Sequence, residues 1–285
     1  MIPPAGTSQL IHDGGKIVLV DKSEASRYLS GTYLASTTLT TRDQDDVARS
    51  LAGGLAFLHS KNFCLGEGIK AENTFILKSE DTGCHAVFVA PTDSSRRSKQ
   101  EDIIKLADLL ESVWTSGRVR GYLNFAQDAL LVRMRNRLSP APSMNEISKH
   151  VAFWPEEKAL NFFIAVSEVL ELKQRRHRES VEENGHNVIG VSWHNTLDPV
   201  VRGLVEQGRR RSYDPTSVAD LLRLIRNLAC HFYNFPPGVC ASLGSFDSLG
   251  SMWTRLFPRL LLHTFTAMEP FKNDTNCKRI EKFYL

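Results

Sequence analysis

Apolar residues recur at three- and four-residue steps in several stretches of the chain. Between Asp45 and Ser60, Val47, Leu51, Leu55 and Leu58 fall on one stripe, which predicts an amphipathic helix. Ile103 to Trp114 predicts a second helix. Glu156 to Lys173 predicts a third, with Leu160, Phe163, Val166 and Leu170 on one face. From Ser217 to Tyr233 the apolar positions are Leu221, Leu222, Ile225, Leu228, Ala229 and Phe232. Asp220, Arg223, Asn227 and His231 follow one another on the opposite face. Ser217 with Asp220 three residues later reads as a capping box, and Pro236-Pro237 ends the segment. Met252 to Met268 predicts a last helix through Leu256, Leu260, Leu261 and Phe265.

Strand signals are short and confined to the first half. Lys16 to Val20, Tyr33 to Ala35, Asn73 to Leu77 and Ala86 to Val89 read as strands, the last two joined through the polar turn Ser79 to Gly83. Ser94 to Gln100 and Ser180 to Asn187 read as polar loops. Ser139-Pro140-Ala141-Pro142 is a breaker, after which one short helix leads to Phe153-Trp154-Pro155. The expected fold class is mainly α with a few short strands, divided into residues 1–152 and 153–285.

With 42% hydrophobic and 24% charged residues over 285 positions, the chain can bury a substantial core. No apolar run is long enough to span a bilayer, so solubility is expected, and the N-terminus lacks the pattern of a signal peptide. The net charge of +3 decides little, but its distribution is uneven. Lys173, Arg175, Arg176 and Arg178 form one basic cluster, and Arg209 to Arg211 another. Such clusters attract polyanions such as RNA, or they simply solvate a helix end. Five cysteines with no C-x-x-C pair argue against a disulfide framework and a structural zinc site, and point to a reducing compartment.

The candidate chemistry lies in Arg226-Asn227-x-x-x-His231, with Tyr213 just upstream. Histidine gives and takes protons near neutral pH. Arginine matches a phosphate with parallel hydrogen bonds. Asparagine can hold a phosphate oxygen or a ribose hydroxyl. These are the parts that cleave RNA without a metal. A base takes the 2′-OH proton, a cation stabilises the phosphorane, and an acid protonates the leaving 5′-oxygen.

The stretch from Tyr213 through Asp220, Arg226 and Asn227 to His231, followed by Leu256-Phe257-Pro258-Arg259-Leu260-Leu261-Leu262-His263-Thr264 and Ala267-Met268, resembles the kinase-extension nuclease (KEN) domain. That domain is shared by the inositol-requiring endoplasmic-reticulum stress sensors and ribonuclease L. The resemblance covers about 130 residues, including Trp193, for which core packing is the expectation, and Phe153-Trp154. It implies an all-helical, dimeric endoribonuclease that leaves a 2′,3′-cyclic phosphate and needs no cofactor. It implies that Tyr213 and His231 are the acid–base pair and that Arg226 and Asn227 contact phosphate and ribose. Asp220 matches a residue needed for activity in part of the family, and is equally the second half of a cap.

The first half resembles a degenerate protein-kinase C-lobe. Gly66-Glu67-Gly68-Ile69-Lys70-Ala71-Glu72-Asn73 resembles a catalytic loop in which Lys70 and Asn73 survive and Gly68 stands at the catalytic Asp position. The metal-binding Asp-Phe-Gly position reads Ala90-Pro91-Thr92, and Asp102 matches a structural Asp of the lobe. About 35 residues precede the hinge-like segment, too few for an N-lobe, with no Gly-rich loop among them. Neither phosphoryl transfer nor ATP and Mg²⁺ binding is therefore expected. The expected partners are RNA and a second copy or a full-length relative. The expected location is the cytoplasm, at the endoplasmic-reticulum surface only through a partner. The alternatives are a silent regulatory partner of a full-length relative and a fragment of a longer product.

Overall fold

The computed structural model describes residues 31–79, 83–88, 98–116, 123–136, 141–172, 174–207 and 212–285. The predicted strand at Lys16–Val20, the Ala90-Pro91-Thr92 triplet, Lys173 and Arg209 to Arg211 lie outside the described residues. The chain divides into two compact units, Met1–Phe153 and Trp154–Leu285. Helices dominate both, so the mainly α expectation stands. No described helix is long and apolar enough to cross a membrane.

In the first unit, β1 (Gly31–Tyr33), β2 (Thr74–Ser79) and β3 (Gly83–Phe88) form an antiparallel sheet in that order, with Tyr33 opposite Phe75 and Phe75 opposite Val87. The strand expected at Tyr33–Ala35 is only half present. The chain turns into a 3-10 helix at Leu34–Ser36, where the Thr37 hydroxyl donates back to the Tyr33 carbonyl (2.7 Å).

Helix α1 (Thr41–Ser60) starts four residues before the pattern does. A reciprocal cap is the reason: Asp43 N donates to the Thr40 hydroxyl and Thr40 N to the Asp43 carboxylate, both at 3.2 Å. Val47, Leu51, Leu55 and Leu58 are all buried, as the pattern requires. Helix α2 (Lys99–Thr115) absorbs the end of the expected Ser94–Gln100 loop, with Ser98 as its cap. Helix α3 (Phe125–Arg135) was not anticipated. Its signal was present as Asn124-x-x-Gln127, a cap that closes at 2.9 and 3.0 Å. The short helix α4 (Met144–Ser148) precedes Phe153, whose ring packs on Trp114 (5.7 Å between centroids).

Asp102 is the polar centre of this core. It is fully buried and accepts from Leu65 N (2.8 Å), Gly66 N (2.5 Å) and His59 Nε2 (3.0 Å). These bonds fix the loop that carries Gly68, Lys70 and Asn73. Gly68 is buried in a 3-10 turn, Lys70 is exposed, and Asn73 is buried at the foot of β2. The neighbouring carboxylate, Glu67, pairs with Lys105.

The described elements of the second unit are all helices: α5 (Glu156–Glu171), α6 (Arg175–Glu182), α7 (His186–Ile189), α8 (Pro199–Gln207), α9 (Val218–Cys230), α10 (Pro237–Leu243), α11 (Leu249–Leu256), α12 (Leu260–Met268) and α13 (Lys278–Glu281), with short 3-10 turns between them. Helix α5 is the hub, packed against α9 and α11. The ring of Trp154 meets Phe162 and Phe265 edge-on (5.3 Å each) and lies near Phe283 (5.8 Å), while Tyr284 stacks on Phe265 (4.4 Å). This cluster ties the last residues of the chain to the first of the unit. Burial pushes the Tyr284 phenol well above its usual range, and its hydroxyl donates to the Phe265 carbonyl (2.8 Å).

Three expectations are corrected here. The loop at Ser180–Asn187 is helical at both ends, because Val181 is a fully buried residue of α6. The single helix at Met252–Met268 is two helices. Pro258 has no N–H to continue the ladder and its ring displaces the preceding turn, so α11 stops at Leu256 and α12 starts at Leu260. Helix α9 ends at Cys230, with His231 as its C-cap and a 3-10 turn at Phe232–Asn234.

Gly250 makes the α5–α11 approach possible. A Cβ there would lie 2.2 Å from the Glu156 carbonyl oxygen. Gly250→Ala should therefore destabilise the second unit by about 1–3 kcal/mol, read as a lower denaturation midpoint. In the first unit, burial beside Arg133 pushes the His150 imidazole down to about 4, consistent with its Nδ1 accepting from Ala152 N (3.2 Å). Folding thus favours the neutral ring. Its contribution is complete above pH 6.5 and lost as pH falls toward 4, a loss of roughly 3 kcal/mol. A urea series across that window should show this slope, flattened in His150→Gln.

Candidate active site on the second unit

The site runs along α9, with its supporting bonds at the N-terminus and Arg226, Asn227 and His231 at the C-terminal end. The first turn of any helix leaves backbone N–H groups unpaired and carries a partial positive charge. Here Glu182, at the end of α6, supplies the missing acceptors. Its carboxylate accepts from Val218 N (2.9 Å), Ala219 N (3.1 Å) and the Ser217 hydroxyl. Ser217 also caps, accepting from Asp220 N (3.1 Å). The return half of the expected capping box is not made. Ser217 N is already bonded to the Asp214 carbonyl (3.1 Å), and the Asp220 carboxylate accepts instead from Asp214 N (2.8 Å). Asp220 is buried rather than on an exposed polar face, and it pairs with Arg178 (3.3 Å) and Arg223 (3.5 Å).

These bonds hold the segment Ser212–Ser217 against α9 and so set Tyr213. Trp193, fully buried as expected, holds the same segment from the other side. Its Nε1 donates to the Ser217 carbonyl (3.1 Å) and its backbone N to that of Pro215 (3.0 Å). The Arg223 guanidinium lies over the Tyr213 ring at 4.5 Å and donates to the Ser212 carbonyl (3.0 Å).

The structure brings three of the proposed reactive residues into one chain of bonds. Arg226 donates from Nε and Nη2 to Asn227 Oδ1 (3.2 and 3.0 Å), and Asn227 Nδ2 donates to the Tyr213 hydroxyl oxygen (2.8 Å). The phenol oxygen is thus an acceptor here, which leaves its own proton to give. His231 follows one turn later, its N–H bonded to the Asn227 carbonyl (3.1 Å). Its side chain is exposed, and among the described residues its ring makes no hydrogen bond. The structure therefore places His231 on the same end of α9 without tying it to Tyr213.

Several residues that the spacing did not single out prove structural to the site. Glu171 reaches it from α5 and pairs with Arg226 (3.5 Å), and Glu182 and Arg178 reach it from α6, contacts that exist only in three dimensions. The basic run on α6 is mostly neutralised: Arg175 pairs with Glu179, Arg176 with Asp274, and Arg178 with Asp220. A diffuse polycationic surface is therefore not what this run provides. A groove of about 440 Å³ opens beside Arg226, walled by Glu168, Glu171, Thr275, Asn276 and Arg279.

A compact helical unit with an Arg-Asn-Tyr bonding chain and an exposed histidine one turn further along has groups that can bind a phosphate and exchange protons. Residues 159–284 match the family model described as Ribonuclease 2-5A, which covers nearly the whole second unit. The chain is 36% identical over 139 residues to the human serine/threonine-protein kinase/endoribonuclease IRE2, covering 48% of this chain and 15% of that protein. It is 33% identical over 133 residues to the sensor for unfolded proteins in the ER ire1 of Schizosaccharomyces pombe, covering 45% and 12%. It is 31% identical over 244 residues to the serine/threonine-protein kinase/endoribonuclease ire-1 of Caenorhabditis elegans, covering 83% and 24%. The last match reaches into the first unit. The second unit belongs to the kinase-extension nuclease family, and the chain spans a quarter or less of the length of these relatives.

Asp220→Ala should release Asp214 N and leave Arg178 and Arg223 without their shared carboxylate. A loss of about 1–3 kcal/mol in the stability of the second unit is expected, with Asp220→Asn, which keeps an acceptor, losing less. Chemical denaturation of the two variants beside the parent checks this.

Proposed function

We propose that this chain is a metal-independent endoribonuclease that cleaves RNA by attack of a ribose 2′-OH on the adjacent phosphodiester, leaving a 2′,3′-cyclic phosphate. The observation that carries the reading is the bonded chain Arg226–Asn227–Tyr213, with the exposed His231 one turn after Asn227. In this reading Tyr213 and His231 are the acid–base pair. One takes the 2′-OH proton while the other gives a proton to the leaving 5′-oxygen. Arg226 stabilises the doubly charged phosphorane, and Asn227 holds Tyr213 while offering its remaining hydrogen-bond capacity to ribose or phosphate. Asp220 acts through position: it fixes the Tyr213 loop.

The chain works as a dimer, with itself or with a full-length relative, and its RNA substrates belong to decay or splicing in the unfolded-protein response. The S. pombe relative's name, a sensor for unfolded proteins in the ER, supports that setting. Its place is cytoplasmic, at the endoplasmic-reticulum face through a partner. No cofactor takes part. Nothing at Lys70 and Asn73 supplies a kinase base, since Gly68 stands where the catalytic Asp would and Glu67 is engaged by Lys105.

The test is cleavage of a fluorescent stem-loop RNA in EDTA across a range of protein concentrations. Cleavage that ignores the chelator, rises faster than linearly with protein, and falls about 10²–10⁴-fold in His231→Ala and Tyr213→Phe is expected. Unchanged cleavage in His231→Ala would overturn the assignment. No cleavage by folded protein at any concentration would favour a silent partner of a full-length relative.

A further inference from the structure

A second cluster of reactive side chains lies at the other end of α6, outside the site above. His177 is fully buried on α6, its ring edge-on to Phe271 (4.6 Å). Asp274 precedes the 3-10 turn Thr275–Cys277 and Cys277 is its last residue; the turn is closed by Cys277 N donating to the Asp274 carbonyl (2.8 Å). Cys277 is also fully buried. His177 Nε2 lies 3.3 Å from Asp274 Oδ2 and 3.7 Å from Cys277 Sγ, and all three donor atoms fall within 4.8 Å of one another. We propose that His177, Asp274 and Cys277 bind a single zinc-class divalent ion.

The distances carry the argument. Zinc sits about 2.0–2.1 Å from nitrogen and oxygen and about 2.3 Å from sulfur. In a tetrahedron, those bonds separate the donors by about 3.3 Å for N and O and about 3.6 Å for N and S. The site already has both spacings. The donor set of one imidazole, one thiolate and one carboxylate suits zinc rather than calcium or magnesium, which take oxygen ligands. His59, Cys64 and Asp102 make a similar trio, but there both Asp102 oxygens are occupied by Leu65 N, Gly66 N and His59.

Binding is a proton exchange. Burial raises the Cys277 thiol, so it enters as S–H; the ion bonds to sulfur and that proton leaves to solvent. His177 ligates as the neutral ring through Nε2, keeping its proton on Nδ1. The opposing charge is Arg176, which donates to Asp274 Oδ2 at 2.6 Å. That bond must lengthen when the ion binds. The ion would staple α6 to a turn almost a hundred residues later. Thr275 and Asn276 of that turn wall the groove beside Arg226, so the staple fixes one side of the candidate nuclease site.

The test uses the full chain, stripped of metal and reloaded with one equivalent of Zn²⁺ or of Co²⁺ as a coloured probe. One ion per chain and a thiolate-to-cobalt charge-transfer band are expected. Cys277→Ser should lose the band, His177→Ala and Asp274→Asn should weaken binding at least about tenfold, and Arg176→Gln should tighten it. Circular dichroism shows which variants fold. The band in the unmutated chain does not depend on the variants. No band, binding only at millimolar metal, or equal affinity in Cys277→Ser would each overturn the site. None of these readouts depends on RNA cleavage.

Discussion

The Glu182 carboxylate at the N-terminus of α9 is the interaction on which the second unit depends. Three donors from the helix start converge on it, two of them backbone amides that would otherwise be buried without partners. A negative charge at this end is also favoured by the helix dipole. The bond does more than cap a helix. It joins α6 to α9, and through Ser217 and Asp220 it fixes the segment that carries Tyr213. Trp193 closes the same segment from the opposite side. The position of one phenol is thus over-determined by a carboxylate, an indole and a guanidinium, each on a different element.

That rigidity separates residues that hold from residues that react. Asp220, Arg178 and Arg223 saturate one another, and Arg226 is shared between Glu171 and Asn227. Positive charge near the site is therefore local and directed. Tyr213 stays partly exposed with its hydroxyl proton uncommitted, and the His231 side chain is exposed. Reaction by 2′-OH attack needs donors that are aimed beforehand, because reorganising them during the step raises the barrier.

The first unit is organised around one buried carboxylate. Asp102 still gathers a helix end and a loop into one buried hydrogen-bonded knot. The loop it holds presents a buried glycine, an exposed lysine and a buried asparagine rather than a carboxylate set for catalysis. A buried aspartate with every bond satisfied is costly to lose, since its removal strands two backbone amides at once.

What the sequence determined by itself was periodic or local. The stripe of Val47, Leu51, Leu55 and Leu58, the face of α9, the cap at Ser217 and the Arg226-Asn227-x-x-x-His231 spacing were all legible, because a helix converts sequence distance directly into direction. Two further local signals lie in the sequence: the Asn124-x-x-Gln127 cap that opens α3, and Pro258, which divides the last long helix. Tertiary structure decided what spacing cannot encode. Asp220 became buried because Asp214 N and two arginines reached it. The basic run of α6 was neutralised by Asp274, far along the chain, and by Asp220. Glu182 and Glu171 entered the site from other helices. Cys277 and Asp274 met His177 although no metal-ligand spacing links them. Such meetings depend on how helices cross, which the packing of whole side-chain surfaces sets and no short window of sequence contains.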